Sequence, residues 1–177
     1  MSSSMEKKTE KQGSSIFQKD LEYLRQIRLF SGLDYECLKL LAMLSKRVDF
    51  IEGDLLTVQG EDEGNAYLLI SGTVRVIHKK DDVDHLLDEL EPGRFIGGLA
   101  LLGKSVRLFT LQAAEKTTAL RLSREGFLKT MNQFPDGIAR ISTNLVAELM
   151  FWDQTRLAKI KPDSSNDEFS SVGISLL

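Results

Sequence analysis

The chain has 177 residues, of which 42% are apolar and 28% charged, and its formal net charge is −3. This length suits one domain with its own core, and the composition excludes a disordered or fibrous protein. The mild acidity argues against nucleic acid or anionic membrane as a partner, and we expect neither. The single cysteine, Cys37, and a polar N-terminus that lacks an apolar signal segment predict a cytoplasmic location.

Helices are predicted first along the chain. Residues 1–15 are polar and predict a disordered tail, so that the domain is expected to begin at residue 16. Apolar residues recur at helical intervals from Phe17 to Ile27, and Asp34 is a candidate N-cap for a second helix.

From Arg47 onward, short apolar runs separated by glycines replace the helical pattern. Such runs predict antiparallel strands, and Asp81-Asp82 is expected at the tip of a hairpin. The predicted strands cover residues 55–58, 66–70, 73–78, 85–90, 106–113 and 118–122. The expected fold is α+β: a small antiparallel β-roll or jelly-roll barrel with N-terminal helices and a long C-terminal helix.

Helical character returns after the strands. Ser123 is placed to cap a short helix, and a long helix is predicted over residues 136–160, where the domain ends. One side of the long helix carries an apolar stripe: Ile138, Ile141, Leu145, Leu149 and Trp152. The stripe either packs on the barrel or pairs with a second copy, and we expect a homodimer through this helix.

The C-terminal tail comprises residues 161–177. Val172, Ile174 and Leu176 alternate in it with small residues, a period-two pattern. We expect residues 168–177 to dock, either on their own domain or on a partner.

Four motifs follow one another at a distinctive spacing: LFSGL at 29–33, GDL at 53–55, VQGE at 58–61 and AYLLISGTVRV at 66–76. Together they resemble the cyclic-nucleotide-binding domain. This is the regulatory β-roll of catabolite-activator-type regulators, protein kinase A regulatory subunits and nucleotide-gated channels. The resemblance covers about residues 24–160.

Residues 95–109 resemble the phosphate-binding cassette of that family. The resemblance implies a glycine loop whose amides hold the cyclic phosphate, a glutamate for the ribose 2′-hydroxyl and an arginine for the phosphate. Arg107 matches that arginine, but Gly98 stands at the glutamate and Val106 at a family proline. The candidate ligand-binding residues are Gly97, Gly98, Leu99, Ala100, Arg107, Leu108 and Phe109, the last two at positions where the family has small side chains.

The substitutions predict a degenerate pocket. The missing carboxylate removes a charge-assisted hydrogen bond worth about 1.5–3 kcal/mol. We therefore expect weak or absent binding of cyclic AMP or cyclic GMP, and no cofactor. Arg107 either remains an anion clamp or pairs with a carboxylate of the protein itself.

The predicted function is that of a stand-alone signalling adaptor that acts through protein–protein interaction. The alternative is an atypical sensor of a cyclic nucleotide or another anion, using Arg107 and the Gly97-Gly98 loop.

An enzyme is the third hypothesis. Residues 98–105, GLALLGKS, satisfy the P-loop pattern of nucleotide triphosphatases, but they lie among short strands and not between a parallel strand and a helix. His78 and His85 could approach each other across the hairpin, yet two histidines make a poor metal site. We therefore predict neither enzymatic activity nor a metal.

Overall fold

The structure, a computed structural model, describes residues 2–157, with side chains for residues 13–151 and Gln154. The helices are α1 (Ser2–Gln26), α2 (Tyr35–Leu44), α3 (Leu99–Leu102), α4 (Arg124–Gln133) and α5 (Asp136–Leu157), with a 3-10 turn at Arg28–Phe30. The strands are β1 (Lys46–Phe50), β2 (Leu55–Thr57), β3 (Asn65–Ser71), β4 (Val74–Lys80), β5 (Val83–Leu90), β6 (Phe95–Ile96), β7 (Thr110–Ala113) and β8 (Thr117–Ser123).

The strands form two four-stranded antiparallel sheets, in the orders β1-β8-β3-β6 and β2-β7-β4-β5. Residues alternate between the two faces of each strand, so every second side chain can point into the space between the sheets. Tyr67, Leu69, Val74, Leu111 and Ala119 are among the buried residues that fill it. This is the α+β roll that the sequence predicted.

The helices share a second core with the first sheet. Leu24, Phe30 and Phe127 are almost fully buried in it, as is Leu101 of α3. The ring of Phe30 lies 5.5 Å from that of Phe95 in an edge-to-face arrangement. This core therefore anchors both β6 and α3, which flank the candidate site.

The turns and the cap of α4 have the residues that their geometry requires. Gly72 has φ +81°, and a Cβ there would stand 2.6 Å from the carbonyl oxygen of Lys116, so a side chain is excluded on two grounds. Asp81 and Asp82 have φ values of 52° and 58°, the left-handed pair typical of a two-residue hairpin turn. The Ser123 hydroxyl accepts a hydrogen bond from the Gly126 N–H, which confirms the predicted cap of α4.

Several boundaries differ from the predictions. Helix α1 begins at Ser2, whereas the sequence predicted a disordered tail over residues 1–15; the segment contains Lys, Glu and Gln, which favour helix. Strand β7 begins at Thr110, not at residue 106. Strands β1 and β6 were not predicted: β1 reads KRVDF and shows little apolar periodicity, and β6 has two residues. The predicted C-terminal tail, 161–177, lies outside the described residues.

Helix α5 turns part of its apolar stripe toward its own domain. Ile141 is fully buried, and Leu145 packs against the core. The Asn144 side chain donates hydrogen bonds to the carbonyls of Leu29, at 3.0 Å, and Ser31, at 2.8 Å. Ile138 is 40% exposed and the side chain of Trp152 lies outside the described part of the structure. Two of the five residues of the stripe, Ile141 and Leu145, therefore belong to the core, and the homodimer stays a prediction.

Within residues 2–157, none of the helices combines the length and the apolar content that crossing a bilayer would require.

Candidate ligand-binding site

The candidate site is built around α3, the single helical turn that follows β6. Gly97 has φ +80°, which lets the chain leave β6 and start α3 at once. Gly98 takes helical φ and ψ at the N-cap of α3. Leu99 is half-buried, whereas Ala100 and Leu101 are buried, so core packing holds the turn in place.

Arg107 lies directly against this turn. Its guanidinium approaches Gly97 so closely that a Cβ there would overlap Nη1. The arginine side chain is only 10% exposed. The structure thus brings together Gly97, Gly98 and Arg107, three of the residues that the resemblance selected.

The guanidinium is occupied by groups of the protein itself. Nε of Arg107 donates to a carboxylate oxygen of Glu63 at 3.2 Å, and Nη2 donates to the carbonyl oxygen of Asn65. Of the two alternatives for Arg107, the structure contains the pairing with a protein carboxylate. Glu63 could not be predicted as the partner from the sequence, because the two residues are 44 positions apart and no periodicity links them.

Glu63 is itself fixed by a second bond. Its other carboxylate oxygen accepts from the Val58 N–H at 3.1 Å. The backbone of Arg107 also binds this loop, donating to the Glu61 carbonyl at 2.9 Å and accepting from the Gly60 N–H at 2.8 Å. Residues 58–63 and Arg107 therefore form one hydrogen-bonded unit, with the negative charge of Glu63 beside the positive charge of Arg107.

A second ion pair holds the other end of α3. The Asp62 carboxylate accepts a hydrogen bond from Arg124, whose Nε donates to the Ala100 carbonyl at 2.6 Å. The hydrogen bond from Arg124 lowers the pKa of Asp62 below its usual 3.8, and a backbone hydrogen bond at Ser105 lowers it further. The neighbouring acids Asp62 and Glu63 thus neutralise two arginines, one at each end of the site.

Exposed apolar side chains flank Arg107 in the sequence. Leu108 and Phe109 are 43% and 40% exposed, and Val106 is 59% exposed. The Phe109 ring stands edge-on to the imidazole of His78, with centroids 6.1 Å apart. At two positions where the resemblance implies small residues, this chain therefore presents exposed apolar side chains, next to Arg107 in the sequence.

The P-loop hypothesis does not fit this geometry. The residues that would wrap a phosphate, Leu99–Leu102, form helix α3 itself, and Leu101 is fully buried. The neighbouring strands are antiparallel, whereas a P-loop connects a parallel strand to a helix.

The two histidines do face each other, since His78 pairs with His85 in the register of β4 and β5. However, within residues 2–157 no three His, Cys, Asp or Glu side chains come together as a metal site requires.

Two further concavities lie outside this site. A cavity of about 170 Å³ opens beside the buried Cys37, between the start of α2 and the junction of α4 and α5. A groove of about 710 Å³ runs over the outer face of the second sheet, with Leu55 and Ile77 in its lining and Asp81, Asp82 and Asp84 near the hairpin.

Comparison with known proteins gives a consistent result. Residues 47–134 match the family model described as the cyclic nucleotide-binding domain. The chain is 28% identical over 120 residues to a cAMP-dependent protein kinase regulatory subunit of Blastocladiella emersonii, covering 67% of this chain and 30% of that protein. It is also 28% identical over 113 residues to patatin-like phospholipase domain-containing protein 7 of Mus musculus, covering 61% of this chain and 8% of that protein.

One solved structure is matched by this chain over nearly the whole of the solved chain. The cyclic nucleotide-binding-like protein of Brucella abortus superposes with a TM-score of 0.61 at 28% identity, over 64% of this chain and 98% of that one. The curated relatives, in contrast, are much longer than the matched region: the chain spans less than a third of either one.

Proposed function

Because residues 47–134 match the family model of the cyclic nucleotide-binding domain, we propose that this chain is a regulatory binding module with a degenerate pocket, acting through contact with another protein. The relatives support a regulatory role, since one of them is named as the regulatory subunit of a kinase and another carries a phospholipase domain. We assign no catalytic activity to the module.

The pairing of Arg107 with Glu63 carries the proposal. A cyclic phosphate that binds Arg107 must compete with Glu63: it either displaces the carboxylate, so that one ion pair replaces another of the same kind, or shares the guanidinium with it. In both cases the Glu63 carboxylate remains near the phosphate, and the two negative charges repel. The arginine therefore contributes little net affinity for cyclic AMP or cyclic GMP.

Two other features also weaken the binding of cyclic nucleotides. Gly98 has no carboxylate to accept a hydrogen bond from the ribose hydroxyl, and this loss makes the free energy of binding less favourable by about 1.5–3 kcal/mol. Leu108 and Phe109 present apolar surface beside the phosphate position, where a charged ligand would lose hydration without gaining hydrogen bonds.

An anion sensor is the second candidate. One observation favours it: Arg107 still lies against the Gly97 turn, where the family places its phosphate ligand. In that case Glu63 would swing away when the anion arrives, and removing its charge would strengthen binding.

Titration calorimetry of the full chain with cyclic AMP and with cyclic GMP tests the proposal. We expect dissociation constants weaker than about 1 mM for both nucleotides. Saturable binding at micromolar concentration would overturn the degenerate pocket.

The variants Glu63→Gln and Glu61→Gln separate the two candidates. Glu61 is exposed and uses only its backbone at the site, so Glu61→Gln is the matched control. If the sensor reading holds, Glu63→Gln strengthens binding of inorganic phosphate or cyclic nucleotide about tenfold or more while Glu61→Gln does not. Equally weak binding by all three proteins supports the adaptor.

A further inference from the structure

Strand β5 forms one edge of the second sheet and pairs with β4 on one side. Among the residues that the structure describes, no strand pairs with its other side. Val83, Leu86 and Leu87 on this strand are 54%, 58% and 53% exposed. A sheet edge with no neighbouring strand and with exposed apolar side chains is the type of edge to which another strand adds.

The outer face of the sheet extends this apolar surface. Leu86 stands opposite Ile77 in the register of β5 and β4, and directly opposed residues in an antiparallel pair share a face. The groove of about 710 Å³ continues from Ile77 to Leu55, which is 49% exposed. A strand lying along β5 would therefore place every second side chain next to Leu86 on this face.

The sequence contains a segment with the matching pattern. In residues 171–177 the apolar Val172, Ile174 and Leu176 alternate with Ser171, Gly173 and Ser175. The stretch 169–177 has no ionisable side chain. Strand β5 carries Asp84, Asp88 and Glu89 and neither Lys nor Arg, so an uncharged strand suits it better than an acidic one.

The segment can reach β5 from its own domain. Ten residues, 158–167, separate Leu157 at the described end of α5 from residue 168. Ten extended residues span about 33–36 Å, whereas a domain of this size has a radius of gyration of about 15 Å. A tether of this length gives a local concentration in the millimolar range, which favours the chain's own edge over that of a second copy in dilute solution.

We propose that residues 171–177 add to the free edge of β5 in their own chain, with Val172, Ile174 and Leu176 on the side of Leu86. The added strand pairs the open backbone groups of the edge and covers its exposed apolar side chains. This interaction surface is independent of the Arg107 site, so either proposal can fail without the other.

Amide hydrogen exchange on the full chain tests the proposal. Backbone amides of β5 that point to the free edge should exchange about tenfold or more slowly in the natural chain than in the variant Ile174→Lys. Ser175→Lys is the matched control, because it adds the same charge on the opposite side of the alternation and should keep the protection.

A second pair of variants tests the surface from the β5 side. Leu86→Lys should release the segment and speed exchange of residues 171–177, whereas Val146→Lys, at a 59% exposed site on α5, should not. Equal β5 exchange in the natural chain and Ile174→Lys would overturn the proposal. Light scattering at the same concentration should give the same mass for the natural chain and for Ile174→Lys; a dimer that Ile174→Lys dissociates would assign the segment to a second copy and also overturn the proposal.

Discussion

Leu29 occupies the space in which a side chain at Gly98 would begin. A Cβ built on Gly98 would lie 3.0 Å from Cδ2 of Leu29 and 3.1 Å from Cε1 of Phe95. Leu29 is 9% exposed and Phe95 packs against the same core, so neither can move freely. A side chain at position 98 would therefore require Leu29 and Phe95 to shift by a few tenths of an ångström, so the change from glutamate to glycine alters the packing as well as removing a carboxylate.

Replacing Gly98 by glutamate should accordingly fail to restore nucleotide binding. We expect Gly98→Glu to lower the free energy of unfolding by about 1–3 kcal/mol, as overpacking does elsewhere, with no gain of affinity for cyclic AMP in calorimetry. Gly103→Glu is the control, because Gly103 is extended and has open space around its Cβ position. Tight binding by Gly98→Glu with unchanged stability would contradict the packing argument.

Arg107 should matter for stability even when no ligand is present. Arg107→Ala leaves the half-buried Glu63 carboxylate and the Asn65 carbonyl without their donor. We expect a loss of about 1–3 kcal/mol in urea unfolding. Arg75→Ala removes an exposed ion pair with Glu89 and should cost less than about 0.5 kcal/mol. Equal losses of stability for the two variants would show that the bonds of Arg107 to Glu63 and Asn65 do not stabilise the fold.

Asp62 should contribute to acid sensitivity. Its pKa in the folded protein lies below the usual 3.8, chiefly because of the hydrogen bond from Arg124. The charged carboxylate therefore stabilises the fold fully above about pH 4, and this contribution disappears as the pH falls through the lowered pKa. Asp62→Asn should flatten the dependence of melting temperature on pH in this acid range. Glu52→Gln, on an exposed turn, should leave the dependence as it is.

Cys37 should resist thiol reagents in the folded protein. Burial, reinforced by the negative charge of Asp34, raises the pKa of its thiol to about 11. Only about one thiol in a thousand is then ionised at pH 8, and the side chain is 1% exposed. Ellman's reagent should label the native chain slowly and the guanidinium-unfolded chain completely. Native labelling at the rate of a free thiol would show that the cavity beside Cys37 admits the reagent.

Local chemistry made much of the roll predictable. The hairpin tip at Asp81-Asp82 and the cap at Ser123 depend on residues within three positions of each other, and both are found. Strands β3, β4 and β8 alternate clearly or are apolar throughout, because at least one face is buried. Strand β1 was missed since it lies at a sheet edge and contains only two apolar residues, so its sequence shows no buried face.

The candidate site was predictable only in part. Gly97 and Arg107 followed from a short motif, and the structure places them in contact. The Glu63 and Asp62 partners depend on how the loop before β3 folds back over α3, which is a matter of tertiary structure. The stripe on α5 predicted either packing on the barrel or a homodimer, and Ile141 and Leu145 face the core; helical periodicity identifies an apolar face without saying what covers it, so the homodimer stays a prediction.

The side chain of Gln59 behaves like a piece of backbone. Its amide oxygen accepts from the Lys79 N–H at 2.7 Å and its amide nitrogen donates to the Lys79 carbonyl at 3.1 Å, the reciprocal pair that a neighbouring strand would make. Gln59 is next to Gly60, whose N–H binds the Arg107 carbonyl. The β4–β5 hairpin is thereby fastened to the loop that holds Arg107 and Glu63. A force applied to the hairpin tip must therefore either break the two hydrogen bonds between Gln59 and Lys79 or displace the loop that holds Arg107 together with the hairpin.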